Sequence, residues 1–117
     1  MKKLQIKDLE KRVKASADAN RIRILSMLKG KKMCVCEIAF VLGITQPSVS
    51  RHLKKLKIAG FIASKNERLW TNYYLCPQNR YAKNFIKNLQ LWTELDKIIA
   101  ADKKKIKKAD RVKLCCP

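Results

Sequence analysis

Five cysteines carry the richest chemistry in this chain: Cys34, Cys36, Cys76, Cys115 and Cys116. Thiolates ligate soft and thiophilic ions, and paired thiols oxidise to disulfides. Cys34 and Cys36 lie in the run Met33-Cys34-Val35-Cys36-Glu37-Ile38, where a helical pattern begins. A helix N-terminus, with Lys31 and Lys32 beside it, is expected to lower the pKa of such thiols. Residues two apart on a regular helix project about 200° apart, so both sulfurs can hold one ion only if the first turn opens. Cys115 and Cys116 are adjacent on a polar tail with nothing apolar to pack against, whereas Cys76, just before Pro77, reads as structural. The odd count argues against a fully paired disulfide framework.

The elements that must position these residues follow from periodicity and caps. Residues 4–16 read as a first amphipathic helix on Leu4, Leu9 and Val13. Asp18 is a good N-cap for a second helix with Ile22, Ile24, Leu25 and Leu28 as its buried stripe, ending at Gly30. Val35, Ile38, Ala39 and Leu42 mark one side of a short helix stopped by Gly43. Thr45 caps a further helix, with Pro47 in its first turn and Val49, Leu53 and Leu56 turned inward, running to Ala59 and Gly60. From Phe61 the period changes: residues 61–64 and 69–75 read as strands of a hairpin, with Lys65-Asn66-Glu67-Arg68 between them. Residues 79–100 form the longest helical pattern, on Tyr81, Phe85, Leu89, Trp92, Leu95 and Ile99. Its apolar stripe is too wide for one small core and asks for a partner surface. The expected division is a domain over 1–101 and a basic, cysteine-containing tail over 102–117, loosely ordered or a fraying helix end.

Composition narrows the partner. Twenty-eight Lys and Arg against nine Asp and Glu give a formal net charge of +19 over 117 residues, which calls for an anionic partner, ordinarily nucleic acid. The basic N-terminus is not followed by the apolar run of a signal peptide, and no stretch approaches the roughly 18 apolar residues of a membrane span. A cytoplasmic location with no membrane partner is expected, where thiols stay mostly reduced.

Short helix, turn, capped helix and hairpin in that order describe a mainly α protein with a β-hairpin wing (α+β), a winged helix-turn-helix. The outward side of the capped helix presents Ser50, Arg51, Lys54 and Lys55, with Gln46, Ser48 and His52 at its flanks. Gln and Arg can bond base edges in bidentate fashion, and Ser, Lys and His suit base or phosphate contacts. His52 suits packing equally well. Lys65 and Arg68 at the hairpin tip are placed to reach the flanking backbone or minor groove.

The run Gly43-Ile44-Thr45-Gln46-Pro47-Ser48-Val49-Ser50-Arg51-His52-Leu53-Lys54-Lys55-Leu56, followed by Ala59-Gly60-Phe61-Ile62, resembles the ArsR/SmtB family of metal-responsive repressors. Ala17-Asp18-Ala19-Asn20-Arg21-Ile22-Arg23-Ile24-Leu25 is similar to that family's second helix, with Ala19 where proline is common. The likeness covers roughly residues 8–75. It implies a homodimer built through the first and last helices, presenting two recognition helices to a palindromic double-stranded operator with half-sites roughly 34 Å apart. Cys34-Val35-Cys36-Glu37 is similar to the Cys-Val-Cys-acid box of the family's arsenic and heavy-metal sensors. A third cysteine that such sensors often carry falls here on Ala39. Cys115 or Cys116, from the same or the other subunit, is the available substitute, and together they could instead form a separate site.

His52 is the only histidine, so the ligand inventory is sulfur. That favours As(III) or Sb(III), then Cd(II), Pb(II) or Bi(III), over Zn(II) or Ni(II), with no organic cofactor. The leading expectation is a repressor released from its operator by As(III). A redox or reactive-sulfur sensor on the same fold and a constitutive DNA-binding protein are the alternatives. A thiol enzyme is disfavoured, because there is no Cys-x-x-Cys motif, no parallel βαβ pattern and no general base beside the thiols.

Overall fold

A computed structural model of the chain describes residues 5–114, apart from the side chain of Val112. Expectations that fall on Leu4, Cys115 and Cys116 lie outside the described residues. In chain order the elements are α1 (Ile6–Ser16), α2 (Ala19–Gly30), α3 (Val35–Leu42), α4 (Gln46–Ile58), β1 (Ile62–Glu67), β2 (Trp70–Leu75), α5 (Arg80–Trp92), α6 (Lys97–Lys108) and α7 (Arg111–Leu114). This is the α+β winged helix-turn-helix expected from the sequence. Among the described residues no helix is long and apolar enough to cross a membrane.

Local chemistry sets the helix ends. The Asp18 carboxylate accepts from the Arg21 N–H at 3.1 Å and starts α2. Gly43, with φ 70°, ends α3 in the left-handed conformation that a side chain disfavours. Two residues later the Thr45 hydroxyl accepts from the Ser48 N–H at 3.3 Å and opens α4. Gly60 is required twice over: its φ is 82°, and a Cβ there would sit 2.7 Å from Asn79 Nδ2. That amide donates to the Ala59 carbonyl at 3.0 Å while its oxygen caps α5 through the Ala82 N–H at 2.8 Å, so one side chain joins the end of α4 to the start of α5.

The core lies between α2, α3, α4 and the sheet. Ile24, Leu25, Met33, Ile38, Val41, Val49, Leu53, Leu56 and Phe61 are fully buried, and Phe61 meets Tyr81 and Phe85 edge-on. The apolar spacing of α4 therefore faces inward as its period requires, and α3 packs directly against it. Strands β1 and β2 pair antiparallel from Ile62 opposite Leu75 to Glu67 opposite Trp70. Lys65 and Asn66 thus belong to the strand rather than to the connection, which is the residue pair Arg68-Leu69. Arg68 adopts φ 58°, an uncommon conformation for a side chain that is not glycine. Met33, just before α3, exchanges two backbone hydrogen bonds with Tyr73 at 2.8 and 3.1 Å, so the approach to α3 is stitched to the second wing strand.

The C-terminal third departs from expectation. The helical pattern of residues 79–100 is interrupted: α5 stops at Trp92, where the Thr93 hydroxyl turns back to the Leu89 carbonyl, and Asp96 caps a new helix by accepting from the Ile99 N–H at 2.9 Å. Trp92 and Leu95, placed by spacing on the wide apolar stripe, are 64% and 92% exposed, while Leu89 and Ile99 are buried. Beyond Ala101 the chain is helical to Lys108 rather than loose. Its lysines face solvent, and it is held by Ile99, Ile106 and Asp102. Asp102, 3% exposed, accepts from Arg23 Nε and Nη2 at 2.9 and 2.8 Å. A buried bidentate pair of this kind fixes orientation as well as proximity.

Candidate DNA interface and thiol site

Helix α4 carries most of the residues expected to meet DNA. Gln46, Ser50, Arg51, Lys54 and Lys55 are exposed on it, opposite the buried Val49, Leu53 and Leu56. Ser48 is half-buried in a small hydroxyl network, accepting from Thr45 Oγ1 and from Arg51 Nη2, each at 3.0 Å. At the wing, Lys65 and Arg68 are exposed. The acidic Glu67 between them is engaged by Lys32 Nζ at 3.0 Å and Asn72 Nδ2 at 3.1 Å, so its charge is matched within the protein.

His52 is placed differently from its neighbours. Its side chain is 18% exposed, 4.0 Å from the Asp18 carboxylate, and Nδ1 accepts from Arg21 Nε at 3.1 Å. The ring proton accordingly resides on Nε2. Burial lowers the pKa of this imidazole below its ordinary value, as do Arg21, Lys55 and Arg51, while Asp18 opposes them. His52 thus ties α4 to the start of α2. Arg21, whose guanidinium also reaches the Lys14 and Ala15 carbonyls, was not singled out by sequence reasoning. Nothing in the helical period distinguishes it from other surface cations.

The thiol site is built on the first turn of α3. Cys34 is the N-cap, in extended conformation at φ −92°, ψ 168°, and Cys36 lies two residues on, half-buried within the helix. A capping box closes the turn: the Cys34 side chain accepts from the Glu37 N–H, and Glu37 Oε1 accepts from the Cys34 N–H at 3.0 Å. The pair therefore straddles the helix boundary instead of lying two positions apart on a regular helix.

The electrostatics also correct the expectation of an acidified thiol. The pKa of Cys34 is raised. Burial is the largest cause, the Glu37 carboxylate adds to it, and the Glu37 backbone N–H and Arg111 only partly offset it. Lys31 and Lys32 are turned instead to Glu37 and Glu67. Cys36 is disulfide-bonded. Cys76, half-buried after β2, accepts from Gln78 Nε2 at 2.9 Å. Among the described residues no group of three or more His, Cys, Asp or Glu side chains is gathered around a common metal position.

Glu37, 2% exposed, organises this region. Besides the Cys34 N–H, its carboxylate accepts from Arg111 Nη2 at 2.8 Å and Lys31 Nζ at 3.4 Å. Burial alone would raise its pKa, but the hydrogen bonds from Cys34 and Arg111, with the charges of Lys31 and Arg111, hold it below the usual carboxylate value. Arg111 Nη2 donates as well to Asn72 Oδ1 at 2.9 Å, and the guanidinium lies 5.0 Å from the centre of the Trp70 ring. Sequence reasoning places Glu37 in the thiol box but not Arg111, because the two stand 74 residues apart and meet only through the fold.

A capped helix presenting cations, packed on a short helix and followed by a basic two-stranded wing, defines a winged helix-turn-helix DNA-binding transcriptional regulator. Residues 18–64 match the family described as "Bacterial regulatory protein, arsR family". An uncharacterized HTH-type transcriptional regulator of Methanocaldococcus jannaschii is 41% identical over 63 residues, covering 53% of this chain and 71% of that protein. An arsenic resistance transcriptional regulator of Pseudomonas putida is 36% identical over 66 residues, 56% of this chain but only 52% of its own length. Among solved structures, reduced HlyU from Vibrio cholerae superposes with a TM-score of 0.64 at 27% identity, over 74% of this chain and 88% of that one. The chain belongs to the arsR family of winged helix-turn-helix regulators, and is a non-enzymatic DNA-binding protein.

Proposed function

We propose that this regulator is a homodimeric repressor that leaves a palindromic operator when As(III) or Sb(III) is ligated by cysteine thiolates. The observation that carries this reading is the position of the cysteines. Cys34 and Cys36 flank the start of α3, and α3 packs on the recognition helix α4. Drawing two sulfurs from either side of a helix boundary onto one ion requires the capping box to open, which moves the support of α4. In the reduced protein the donor set fits a thiophilic ion: once the bond at Cys36 is broken sulfur is available, and histidine is committed elsewhere. Cys115 or Cys116, from the same or the other subunit, would complete the three thiolates that trivalent arsenic prefers, and the similarity to an arsenic resistance transcriptional regulator of Pseudomonas putida adds a context. DNA contacts are assigned to Gln46, Ser48, Ser50, Arg51, Lys54 and Lys55 of α4 and to Lys65 and Arg68 of the wing.

The test is an arsenite titration of the reduced protein on a labelled duplex selected by the protein itself from random sequence. Coupling free energies between sites are typically about 1–3 kcal/mol, so a loss of affinity between about 5-fold and 150-fold is expected. Unchanged affinity removes As(III) as the inducer. A second reading, a redox switch, is favoured by the disulfide at Cys36. Equal operator affinity of the reduced and oxidised protein would eliminate it.

A further inference from the structure

The cationic surface does not stop at α4 and the wing. A cleft of about 400 Å³ opens where the end of α1 and the start of α2 meet the last turns of α4. Lys11 and Lys14 of α1, Arg21 of α2 and Lys55 of α4 line it, with the buried Ala15 and Ala59 between them. Among the described residues no acid lines this cleft. Lys11, Lys14 and Lys55 are exposed. Lys14 meets Glu10 only at 3.9 Å, and both side chains are mostly in solvent, so the pair is weak. Arg21 is held from within the protein: Nε donates to His52 Nδ1 at 3.1 Å, and Nη1 donates to the Lys14 and Ala15 carbonyls at 3.3 and 3.2 Å. Its Nη2 makes no hydrogen bond among the described residues. A guanidinium ordered in this way binds an anionic oxygen with little further loss of side-chain freedom.

We propose that this cleft is a second seat for the DNA backbone, in which Lys11, Lys14, Arg21 and Lys55 hold phosphates on the side of the recognition helix away from the wing. Lys55 lies on the exposed side of α4, so the cleft is continuous with the face assigned to DNA. The placement follows from α2. Its start carries Arg21 and meets α4 through His52, and just beyond its end Met33 is paired to Tyr73 of the wing. The 12 residues of α2 set these two margins about 18 Å apart. The major groove of B-DNA is about 12 Å wide, so a helix laid in it has a cationic margin for the backbone on each side. Lys11 and Lys14 sit about 140° round α1 from the exposed Ile6, Leu9 and Val13. Both lysines therefore stay accessible when that apolar stripe is covered. The proposal rests on α4 and the wing forming the DNA face, and it is independent of what the thiols bind.

Salt-titrated binding of the full chain to a labelled duplex, selected by the protein itself from random sequence, tests it. The double variant Lys11→Gln with Lys14→Gln changes two exposed side chains and leaves α4 and the wing intact. Its log–log salt slope should be shallower by about 1.8 per bound subunit, about 0.9 for each phosphate lost, with affinity reduced about ten-fold or more near 0.1 M salt. The preference for the selected duplex over a scrambled one should stay at the parent value, because phosphate contacts carry no sequence information. Lys11→Arg with Lys14→Arg, which keeps both charges, should bind as the parent does. A slope that is unchanged, or changed no more than by Lys104→Gln with Lys107→Gln on α6, overturns the proposal, as does a loss of preference for the selected duplex. Phosphate ethylation interference locates the contacts: the cleft variant should release phosphates different from those released by Lys65→Gln in the wing. Release of the same phosphates, or of none, overturns the second seat. A shallower slope in Lys65→Gln with none in the cleft variant overturns the cleft alone, and no change in either overturns the DNA face with it.

Discussion

Glu37 is a buried carboxylate whose charge is kept by its partners: a backbone N–H, a guanidinium and an ammonium converge on it. Removing one member of such a set leaves the others desolvated without compensation, and that cost exceeds the value of any single bond. Glu37→Gln, which keeps an acceptor for Cys34 but loses the charge, is expected to destabilise the protein by about 1–3 kcal/mol in urea unfolding. The pH dependence follows from the lowered pKa of the folded state. This group contributes stability above the unfolded-state carboxylate pKa of about 4.3, lost as pH falls through the lower folded value. Glu37→Gln should therefore flatten the acid limb of the stability profile. The thiols show why residue type alone misleads. Cys34 stands at a helix N-terminus among lysines, the setting that acidifies a thiol. Burial reverses the direction because the thiolate would lose more hydration than the Glu37 N–H and the Arg111 charge return, with the Glu37 carboxylate beside it.

At the scale of elements, the helix-turn-helix was legible because each boundary is written in a few adjacent residues. Thr45 and Pro47 open α4, Gly43 closes α3, and the Val49, Leu53, Leu56 spacing orients α4. The wing was legible as a hairpin, but its turn was not. Lys65 and Asn66 look like loop residues and are strand residues, since cross-strand pairing extends to Glu67 and Trp70. The two-residue turn costs Arg68 a left-handed backbone. Arg68→Gly should leave stability unchanged or raise it by up to about 1 kcal/mol, by relieving that conformation. It should also weaken DNA binding and reduce the salt dependence by about one phosphate contact. Thermal unfolding and salt-titrated binding measure the two effects separately. A large loss of stability would show that Arg68 has a structural role outside the turn.

For the molecule as a whole, charge and unburied apolar surface point to two kinds of association. A net charge of +19 predicts DNA binding that falls steeply with salt. The apolar residues are spread over α1 and the C-terminal end of α5. Ile6, Leu9 and Val13 are exposed on the first, and Leu91 and Trp92 on the second, with Leu95 in the following turn. Helix α1 packs against α5, so both lie on one side of the subunit. This is the surface through which we expect the homodimer to form. Leu95→Asp should shift the sedimentation of the protein from dimer towards monomer and weaken operator binding by at least ten-fold. An unchanged dimer would place the interface elsewhere.

The amino-acid sequence by itself determined the winged helix-turn-helix, the inward and outward faces of the recognition helix and the ionic character of the partner. These depend on caps, glycines and periodicity within about ten residues. The break between α5 and α6 was also written locally, in Thr93 and Asp96, but was overridden in reading by a continuous apolar period. Only the tertiary structure decided that the basic C-terminal segment is a helix laid across α2 and α3, and that Arg111, Glu37, Asn72 and Trp70 form one cluster. Those contacts join residues 30 to 80 positions apart, and their energy comes from excluding water around charges that a sequence presents as ordinary surface.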